Sequence, residues 1–477
     1  MALVSGGQAK SGGPEKSDGP EKSDGPAKSG GPEKSGGSAK FVEGNLLRHI
    51  TVMSLTSSVG LMAVFGVDLI NMVFIAMLER DAYTAAIGYA GVILFFTTSV
   101  GIGISIAVSA LVARALGAGH PDLARTKATN GLVLGIAFGI GFAAVVWVFL
   151  PQLVGLLGAV GETADLTVGF LRIVVPAQPF LMLGMIGGAI LRSHGDARRA
   201  MMATIWGAVV NAILDPILIF GLDLDLTGAA IASVASRVVI AAVALLPILR
   251  HHGGFDRPSF AGLAADLRPV LGIAGPAILT QVATPVGQAF VTRMVAGYGE
   301  AAVAGMAITG RMTPVALGVI FALSGAIGPI IGQNYGAGRM DRVRRAFLDG
   351  LLFTGVVIVA TTLILFLLRA PIADLFRAEG VTRDLVYLFC GPLSLLFFFN
   401  GAIFVANAAC NNLGAPFQST VINWGRHTLG TVPFALWGAS VWGAGGVLIG
   451  AALGGVVFGV LAIWLALRTI AATQPRA

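Results

Sequence analysis

The chain is poor in the residues that cover a soluble protein. Only 12% of its 477 residues are charged, against about 25% in an ordinary soluble domain, whereas 56% are hydrophobic. It holds six tryptophans and five tyrosines but 66 glycines, and small residues allow membrane helices to approach closely. These proportions exclude a soluble multidomain enzyme.

Cysteine is scarce as well, and the basic residues are dispersed. Cys390 and Cys410 both lie in apolar sequence without the spacing of a metal site, so we expect buried thiols rather than a disulfide framework. The net charge is +7. Because the basic residues form short clusters between apolar runs, the charge does not indicate a nucleic-acid partner.

The first 45 residues differ from the rest of the chain. Residues 11–40 are five hexapeptides of the type SGGPEK or SDGPEK, without an aromatic or β-branched residue. Such a segment has no apolar side chains to bury, and it lacks the apolar core of a signal peptide. We therefore predict that residues 1–45 form a disordered, low-complexity cytoplasmic tail.

From about residue 46, apolar stretches of roughly 20–28 residues alternate with short polar segments, as expected for helices that cross a bilayer. The pattern predicts an all-α integral membrane protein with about twelve spans: 50–78, 85–113, 128–150, 167–191, 201–221, 227–249, 269–296, 301–331, 347–369, 384–410, 417–438 and 443–467. Alternate loops hold most of the arginines, which predicts a multi-pass plasma (inner) membrane protein with both termini in the cytoplasm.

The chain contains an internal repeat. The segments 112–132 and 331–351 share Gly-Ala-Gly, an Asp three positions later and a closing Gly-Leu, and the same spacing along the chain relates Gly195 to Gly414. We predict an N-lobe at 46–250, a cytoplasmic linker at 251–268 and a C-lobe at 269–477. The lobes would be six-helix bundles related by a pseudo-two-fold axis, with substrate handled between them.

Two carboxylates lie well inside predicted spans, and both are in the N-lobe. Asp68 is in MAVFGVDLINMVF and Asp215 is in VVNAILDPILIF, and each carboxylate at such depth costs about 2.5–3.5 kcal/mol on insertion scales. Asn211 precedes Asp215 by one helical turn and shares its face, and Pro216 disturbs the hydrogen-bond ladder. These residues are candidates to bind a proton or Na⁺; the alternative is a polar cluster that only holds helices together.

Several arginines also fall within or near spans. Arg311, in AITGRMTPVA, is a candidate for the substrate cavity or for gating. Arg237 and Arg426 also lie within predicted spans.

The strongest stretch, LRSHGDARRAMMATIWGAVVNAILDPILIFGLDLDLTGAAIASVAS at 191–236, resembles the signature of the MATE family of multidrug and toxic compound extrusion transporters. LVARALGAG at 111–119 and IGQNYGAG at 331–338 agree with it. The resemblance implies two six-helix lobes around a V-shaped cavity and export driven by H⁺ or Na⁺.

The family's motif implies that Asp68, Asn211 and Asp215 form the cation site, with Ser233 adding a hydroxyl oxygen. This is most similar to the DinF branch, whose coupling acids lie in the N-lobe. The NorM branch uses C-lobe acids, whereas here Gln281 lies near one such position and span ten offers only Asn400 and Asn407. Met53 replaces a proline that is common in span one of the DinF branch, although Gly60 and Gly66 offer flexibility there.

The sequence therefore predicts a secondary active exporter, an antiporter of small organic, cationic or amphiphilic compounds, coupled to H⁺ ahead of Na⁺. The expected protein is a monomer in the lipid bilayer, without an enzymatic activity, a bound cofactor, a firm metal site or an obligate protein partner. The motifs of intramembrane proteases, serine hydrolases and P-loop ATPases are absent from the sequence. The alternative that the wider superfamily implies is a flippase for lipid-linked oligosaccharides. Cationic residues often line the cavity of such a flippase, and Arg237, Arg311 and Arg426 would suit that role.

Overall fold

The computed structural model describes residues 39–78 and 80–473, and within these ranges every regular element is helical. We number the membrane spans in chain order. Spans 1–6 make up the first half: Leu46–Ala76, Asp81–Gly117, Pro121–Val148, Gly161–Ser193, Ala197–Gly221 and Asp225–His251. Spans 7–10 are Phe260–Ala296, Glu300–Ala316 with Gly318–Gly336, Met340–Leu375, and Gly380–Leu396 with Phe398–Asn412. Span 8 is bent by 47° and span 10 by 40° at their breaks.

The last apolar run, Pro416–Ala472, is 57 residues long, about twice the length that one span needs. It is broken at Trp442 and Gly443, whose backbone dihedrals are not helical. The two parts pack as an antiparallel hairpin, because Gly438 meets Gly446 and Gly430 meets Gly454 through their bare backbones. We number them span 11 (416–441) and span 12 (444–472), so the described residues contain the twelve predicted spans.

The polar segments between the spans provide the helix caps that the apolar runs lack. The side chain of Asn45 accepts a hydrogen bond from the backbone nitrogen of Arg48 at the start of span 1 (3.0 Å). Asp196 caps span 5 at Arg199 (3.3 Å), and Ser259 caps span 7 at Gly262 (3.1 Å). Each cap satisfies one of the free amide groups at a helix start, which fixes where the span begins.

The first and second halves meet along spans 1, 2, 7 and 8. Span 1 packs on span 8, with Met62 against Gly318, and span 2 packs on span 7, with Gly103 against Ile278. These contacts lie near the middle of the spans. One side of the bundle holds the loops between spans 2 and 3 and between spans 8 and 9. We call this side, where the loops carry most of the arginines, the basic end. Farther from it, Leu69 and Ile70 of span 1 are exposed.

At the basic end, the two halves cross through a pair of glycines. A Cβ atom on Gly117, the last residue of span 2, would lie 1.9 Å from the carbonyl oxygen of Gln333, and one on Gly336 would lie 2.0 Å from that of Arg114. Arg114 and Gln333 occupy equivalent positions of the repeat, as do Gly117 and Gly336. The contact therefore has local two-fold symmetry, and it requires glycine on both sides.

Two predicted boundaries need correction. Residues 39–45 were expected to belong to the disordered tail, but Phe41 is 2% exposed and its backbone nitrogen donates to Gln333 Oε1 (2.9 Å), because it is the first large apolar side chain after the hexapeptides. The remaining tail, up to residue 38, lies outside the described residues. The linker predicted at 251–268 is shorter, because span 6 ends at His251 and Ser259 already caps span 7.

Candidate cation site and its surroundings

Asp215 is the most deeply buried carboxylate of the first half's spans, at 1% exposure. Its Oδ2 accepts a hydrogen bond from Asn211 Nδ2 (2.5 Å), whereas its Oδ1 is buried and has no partner among the described residues. Pro216 follows, and the helix widens into a π-helical stretch at Ile217–Gly221. Such stretches are frequent at functional sites because they re-aim side chains and free backbone groups. The structure thus brings Asn211 and Asp215 together.

Asp68 lies on span 1 at the same depth, but it is exposed. Spans 1 and 5 run in parallel, with Gly60 against Thr204 and the ring of Phe74 edge-on to that of Phe220 at 5.9 Å. These two contacts bracket Asp68 and place it level with the turn that contains Asn211. Among the described residues, no hydrogen bond or ion pair links Asp68 to Asn211 or Asp215.

Ser233 lies on span 6, which packs against span 5. Gly228 packs against the backbone of Leu218, and Ser236 Oγ donates to the carbonyl oxygen of Gly207 (2.8 Å). Because spans 5 and 6 are antiparallel, these contacts place the partly buried Ser233 level with Asn211. All four predicted cation-site residues therefore lie at one depth on three helices that contact one another.

Asn71 was missed by the sequence reasoning. It follows Asp68 by about one turn on span 1, and its Oδ1 is buried without a partner in the described part of the chain. Asn71 Oδ1 and Asp215 Oδ1 are thus two unpartnered acceptor oxygens at nearly the same depth. The signal in the sequence was the Asp-x-x-Asn spacing inside an apolar span, since residues three apart share a helix face.

The four candidates in the second half do not form one cluster. Asn407 Oδ1 accepts a hydrogen bond from Asn423 Nδ2 (3.2 Å), which ties span 10 to span 11. Within residues 39–78 and 80–473, Asn400 Oδ1 is buried and unpartnered, and Gln281 is partly buried on span 7. Arg311 is exposed on span 8 and has no hydrogen-bond partner among the described residues.

The three arginines that would suit a flippase have different surroundings. Arg237 Nη1 donates to the carbonyl oxygen of Val174 (3.0 Å) and to Gln178 Oε1 (3.2 Å), so it is bound within the first half. Arg426 lies beside Gly455 in the second half. Arg237 and Arg426 therefore have their contacts in different halves.

Polar contacts close the basic end between the halves. The side chain of Gln333, which is fully buried, accepts from the Phe41 nitrogen and donates through Nε2 to the carbonyl oxygen of Ser193 (2.8 Å). Asp266 at the start of span 7 accepts from Lys127 and from Asn130 Nδ2 (2.7 Å) of span 3. These bonds join the two halves at the same end as the glycine crossing.

A histidine pair lies at the same end, between the loop that joins spans 4 and 5 and the end of span 6. The rings of His194 and His252 are 4.6 Å apart, and His252 Nε2 is 3.3 Å from Asp196 Oδ2. Burial lowers the pKa of His194 to about 4. Burial raises the pKa of Asp196, but hydrogen bonds from His252 and Arg199 outweigh it and hold the pKa well below its usual range.

Two cavities of about 490 and 520 Å³ lie at the end of the bundle opposite the basic end. Asp165 and Leu166 line the first, and their repeat equivalents Asp384 and Leu385 line the second. Neither cavity includes a predicted cation-site residue.

The comparison with known proteins agrees with the repeat. The MatE family model matches the chain twice, at residues 57–217 and 276–437, and the two matches begin at equivalent positions of the repeat. The chain belongs to the MATE transporter family. It is accordingly a multi-pass membrane transporter and not an enzyme.

Three relatives illustrate the range of the family. The FAD transporter of Shewanella oneidensis is 30% identical over 422 residues, which cover 87% of this chain and 93% of the relative. The multidrug export protein MepA of Staphylococcus aureus (strain N315) is 28% identical over 326 residues, 67% of this chain and 70% of the relative. The crystal structure of a variant of the Vibrio cholerae MATE transporter VcmN matches with a TM-score of 0.84 at 25% identity, covering 89% of this chain and 96% of that one.

Proposed function

We propose that this MATE transporter is a cation-coupled exporter of organic compounds, and that Asp215 and Asn211, with Asp68, Asn71 and Ser233, hold the coupling cation. The observation that carries the proposal is the unpartnered Oδ1 of the buried Asp215. An ionised carboxylate without a donor on one oxygen is costly to bury. A proton or Na⁺ on that oxygen removes the cost, so occupancy and local structure are linked.

Span 1 supplies a route from the cation site to the interface between the halves. It packs on span 5 near the site and on span 8 of the second half, where Met62 meets Gly318. Binding of a cation between spans 1 and 5 would alter how span 1 packs on span 8. Span 1 is one helix from Leu46 to Ala76, so this coupling needs no proline-centred bend.

We assign the coupling ion to H⁺ ahead of Na⁺, in keeping with the resemblance to the DinF branch. Within the described residues, no group of three His, Cys, Asp or Glu side chains is placed to hold a metal ion. A Na⁺ site would therefore depend on amide, hydroxyl and carbonyl oxygens, whereas a proton needs only the free carboxylate oxygen.

Two substrate classes follow from the relatives. The first class is lipophilic or cationic organic compounds. The acids of the first half would attract cations, and the similarity to the multidrug export protein MepA favours this class. Flavin nucleotides are the second class, favoured by the similarity to the FAD transporter over 93% of that relative. A lipid-linked oligosaccharide flippase has less support, because Arg237 is bound to backbone and Gln178 within the first half.

The test uses purified protein in liposomes with a proton gradient and a sodium gradient imposed separately, while export of a fluorescent lipophilic cation and of FAD is followed. We expect transport under the proton gradient, and we expect Asp215→Asn to abolish it. Asp349→Asn, which alters another buried carboxyl that forms an ion pair with Arg345, is the matched control and should transport normally. Coupled transport by a well-folded Asp215→Asn protein would refute the assignment, and transport driven only by sodium would replace H⁺ with Na⁺.

A further inference from the structure

Two ionisable side chains near the middle of span 11 take no part in the proposed cation site. Arg426 is partly buried, and among the described residues no carboxylate lies within 4 Å of its guanidinium and no hydrogen bond reaches that group. The neighbouring His427 is 7% exposed, and its Nε2 is buried without a partner there. Charged side chains inside a membrane are expensive and usually functional, so their lack of partners requires an explanation.

The backbone around these residues departs from α-helical geometry. Arg426–Gly430 is a π-helical stretch, and Thr431 Oγ1 donates to the Arg426 carbonyl oxygen (3.0 Å). Just before this stretch, Trp424 Nε1 donates to the carbonyl oxygen of Leu279 (3.0 Å), which fixes span 11 on span 7. The widening begins at Arg426, so it re-aims this side chain and that of His427.

Each of the two side chains lies beside a glycine of a neighbouring span. A Cβ atom at Gly287 of span 7 would be 2.1 Å from His427 Nδ1, so the ring rests on bare backbone. A Cβ atom at Gly455 of span 12 would have Arg426 Nε, at 3.9 Å, as its only near neighbour in the described part of the chain. Gly455 therefore leaves room for an added methyl group beside Arg426 Nε.

Asn400 lies close in depth to this pair. Spans 10 and 11 are antiparallel, as shown by the bonds Asn423 to Asn407 (3.2 Å) and Ser419 to Asn411 (3.4 Å). Continuing this register puts Asn400 about one turn from the level of Arg426. Its amide has a buried Oδ1 without a partner among the described residues, and an amide can turn to present its two N–H donors instead.

We propose that Arg426 and His427, with Asn400, form a subsite for an anionic group of the transported compound, such as a phosphate ester. A guanidinium presents a planar fork of donors that fits phosphate, and a neutral imidazole donates one N–H. The acids of the first half repel an anion, so the subsite would hold the charged group in the second half. This proposal rests on the proposed export function and narrows its substrate class to organic anions and zwitterions.

The test compares riboflavin with FMN, which carries the same ring system plus one phosphate ester. Binding to the purified full-length protein is followed by flavin fluorescence. We expect FMN to bind more tightly than riboflavin, and we expect Arg426→Gln to weaken FMN binding about tenfold or more while riboflavin changes less than about twofold. Gly287→Ala, which displaces the His427 ring, should act in the same direction.

Arg468→Gln is the matched control, because Arg468 is exposed at the end of span 12 over the ring of Trp464, and we expect it to leave both affinities unchanged. A parallel arm compares phosphatidylglycerol with phosphatidylcholine as competitors, since a lipid headgroup offers the same phosphate chemistry. If Arg426→Gln no longer binds FMN more tightly than riboflavin, the subsite takes a soluble anion. If the variant loses only the preference for phosphatidylglycerol over phosphatidylcholine, the subsite takes a lipid headgroup.

The proposal is overturned if the wild-type protein distinguishes neither pair, or if Arg426→Gln retains the distinction in a folded protein. Binding is measured without an ion gradient, so a failure of cation coupling does not affect it. Conversely, Arg426→Gln should still export a lipophilic cation that has no anionic group, which separates this subsite from the proposed export function.

Discussion

Replacing Gly117 with alanine should open the basic end of the transporter. The new Cβ atom would lie 1.9 Å from the Gln333 carbonyl oxygen, far inside the 3.4 Å at which ordinary contact begins. The obstacle is backbone, which cannot rotate away as a flexible side chain does, so spans 2 and 8 must separate. Overpacking of this kind costs about 1–3 kcal/mol, equivalent to a roughly 5- to 150-fold shift between two states.

The two-fold symmetry of the crossing provides an internal check. Gly336→Ala places its Cβ atom 2.0 Å from the Arg114 carbonyl oxygen, so it should shift the same equilibrium by a similar factor. Spin labels at Leu123 and Arg344, which are exposed at the starts of spans 3 and 9, would report the distance across the basic end. We expect a longer distance to become populated in both variants.

Gly141→Ala is the matched control, because it also adds a methyl group to a span but meets nothing within 4 Å in the described part of the chain. Its distance distribution should equal that of the wild-type protein. Unchanged distances in both Gly117→Ala and Gly336→Ala, in protein that remains folded, would refute the reasoning.

Two further predictions concern the same end. Asp266 is 3% exposed and holds Lys127 through its charge. We expect Asp266→Asn to destabilise the closed basic end by about 1–3 kcal/mol relative to the open one. The same spin-label pair measures this change, and Asp349→Asn should leave the distance unchanged. The pKa of His194 is about 4 when folded against 6.5 when unfolded, so the unfolded chain binds more protons between these values. The free energy of unfolding should therefore fall as the pH drops from 6.5 towards 4, and thermal unfolding of His194→Gln across this range should show a weaker dependence; an equal dependence would contradict the assignment.

The sequence predicted the spans well because hydropathy and length decide them. The predicted break between 438 and 443 lies beside the turn at Trp442 and Gly443. The predicted boundaries were wrong where a polar segment packs against a neighbouring helix. Phe41 and the start of span 7 are examples, since a buried bond to Gln333 and the Ser259 cap cannot be inferred from local composition.

The candidate site was predictable only in part. The i, i+4 spacing correctly places Asn211 on Asp215, because that contact lies within one helix. The contacts between helices were beyond sequence reasoning: Asp68 is level with this pair without touching it, and Arg237 bonds to Val174 and Gln178. Side-chain direction across an interface depends on helix rotation and crossing angle, which hydropathy does not encode.

Equivalent positions of the repeat show where the two halves differ in charge. Asp68 of the first half corresponds to Gly287 of the second, and the ring of His427 rests on that glycine. Arg426 of the second half corresponds to Gly207 of the first, where Ile240 and Ser236 of span 6 fill the space. At both pairs of equivalent positions, one half carries an ionisable residue and the other a glycine that admits a neighbouring side chain. The two halves therefore carry ionisable side chains of opposite sign at positions that are not equivalent in the repeat.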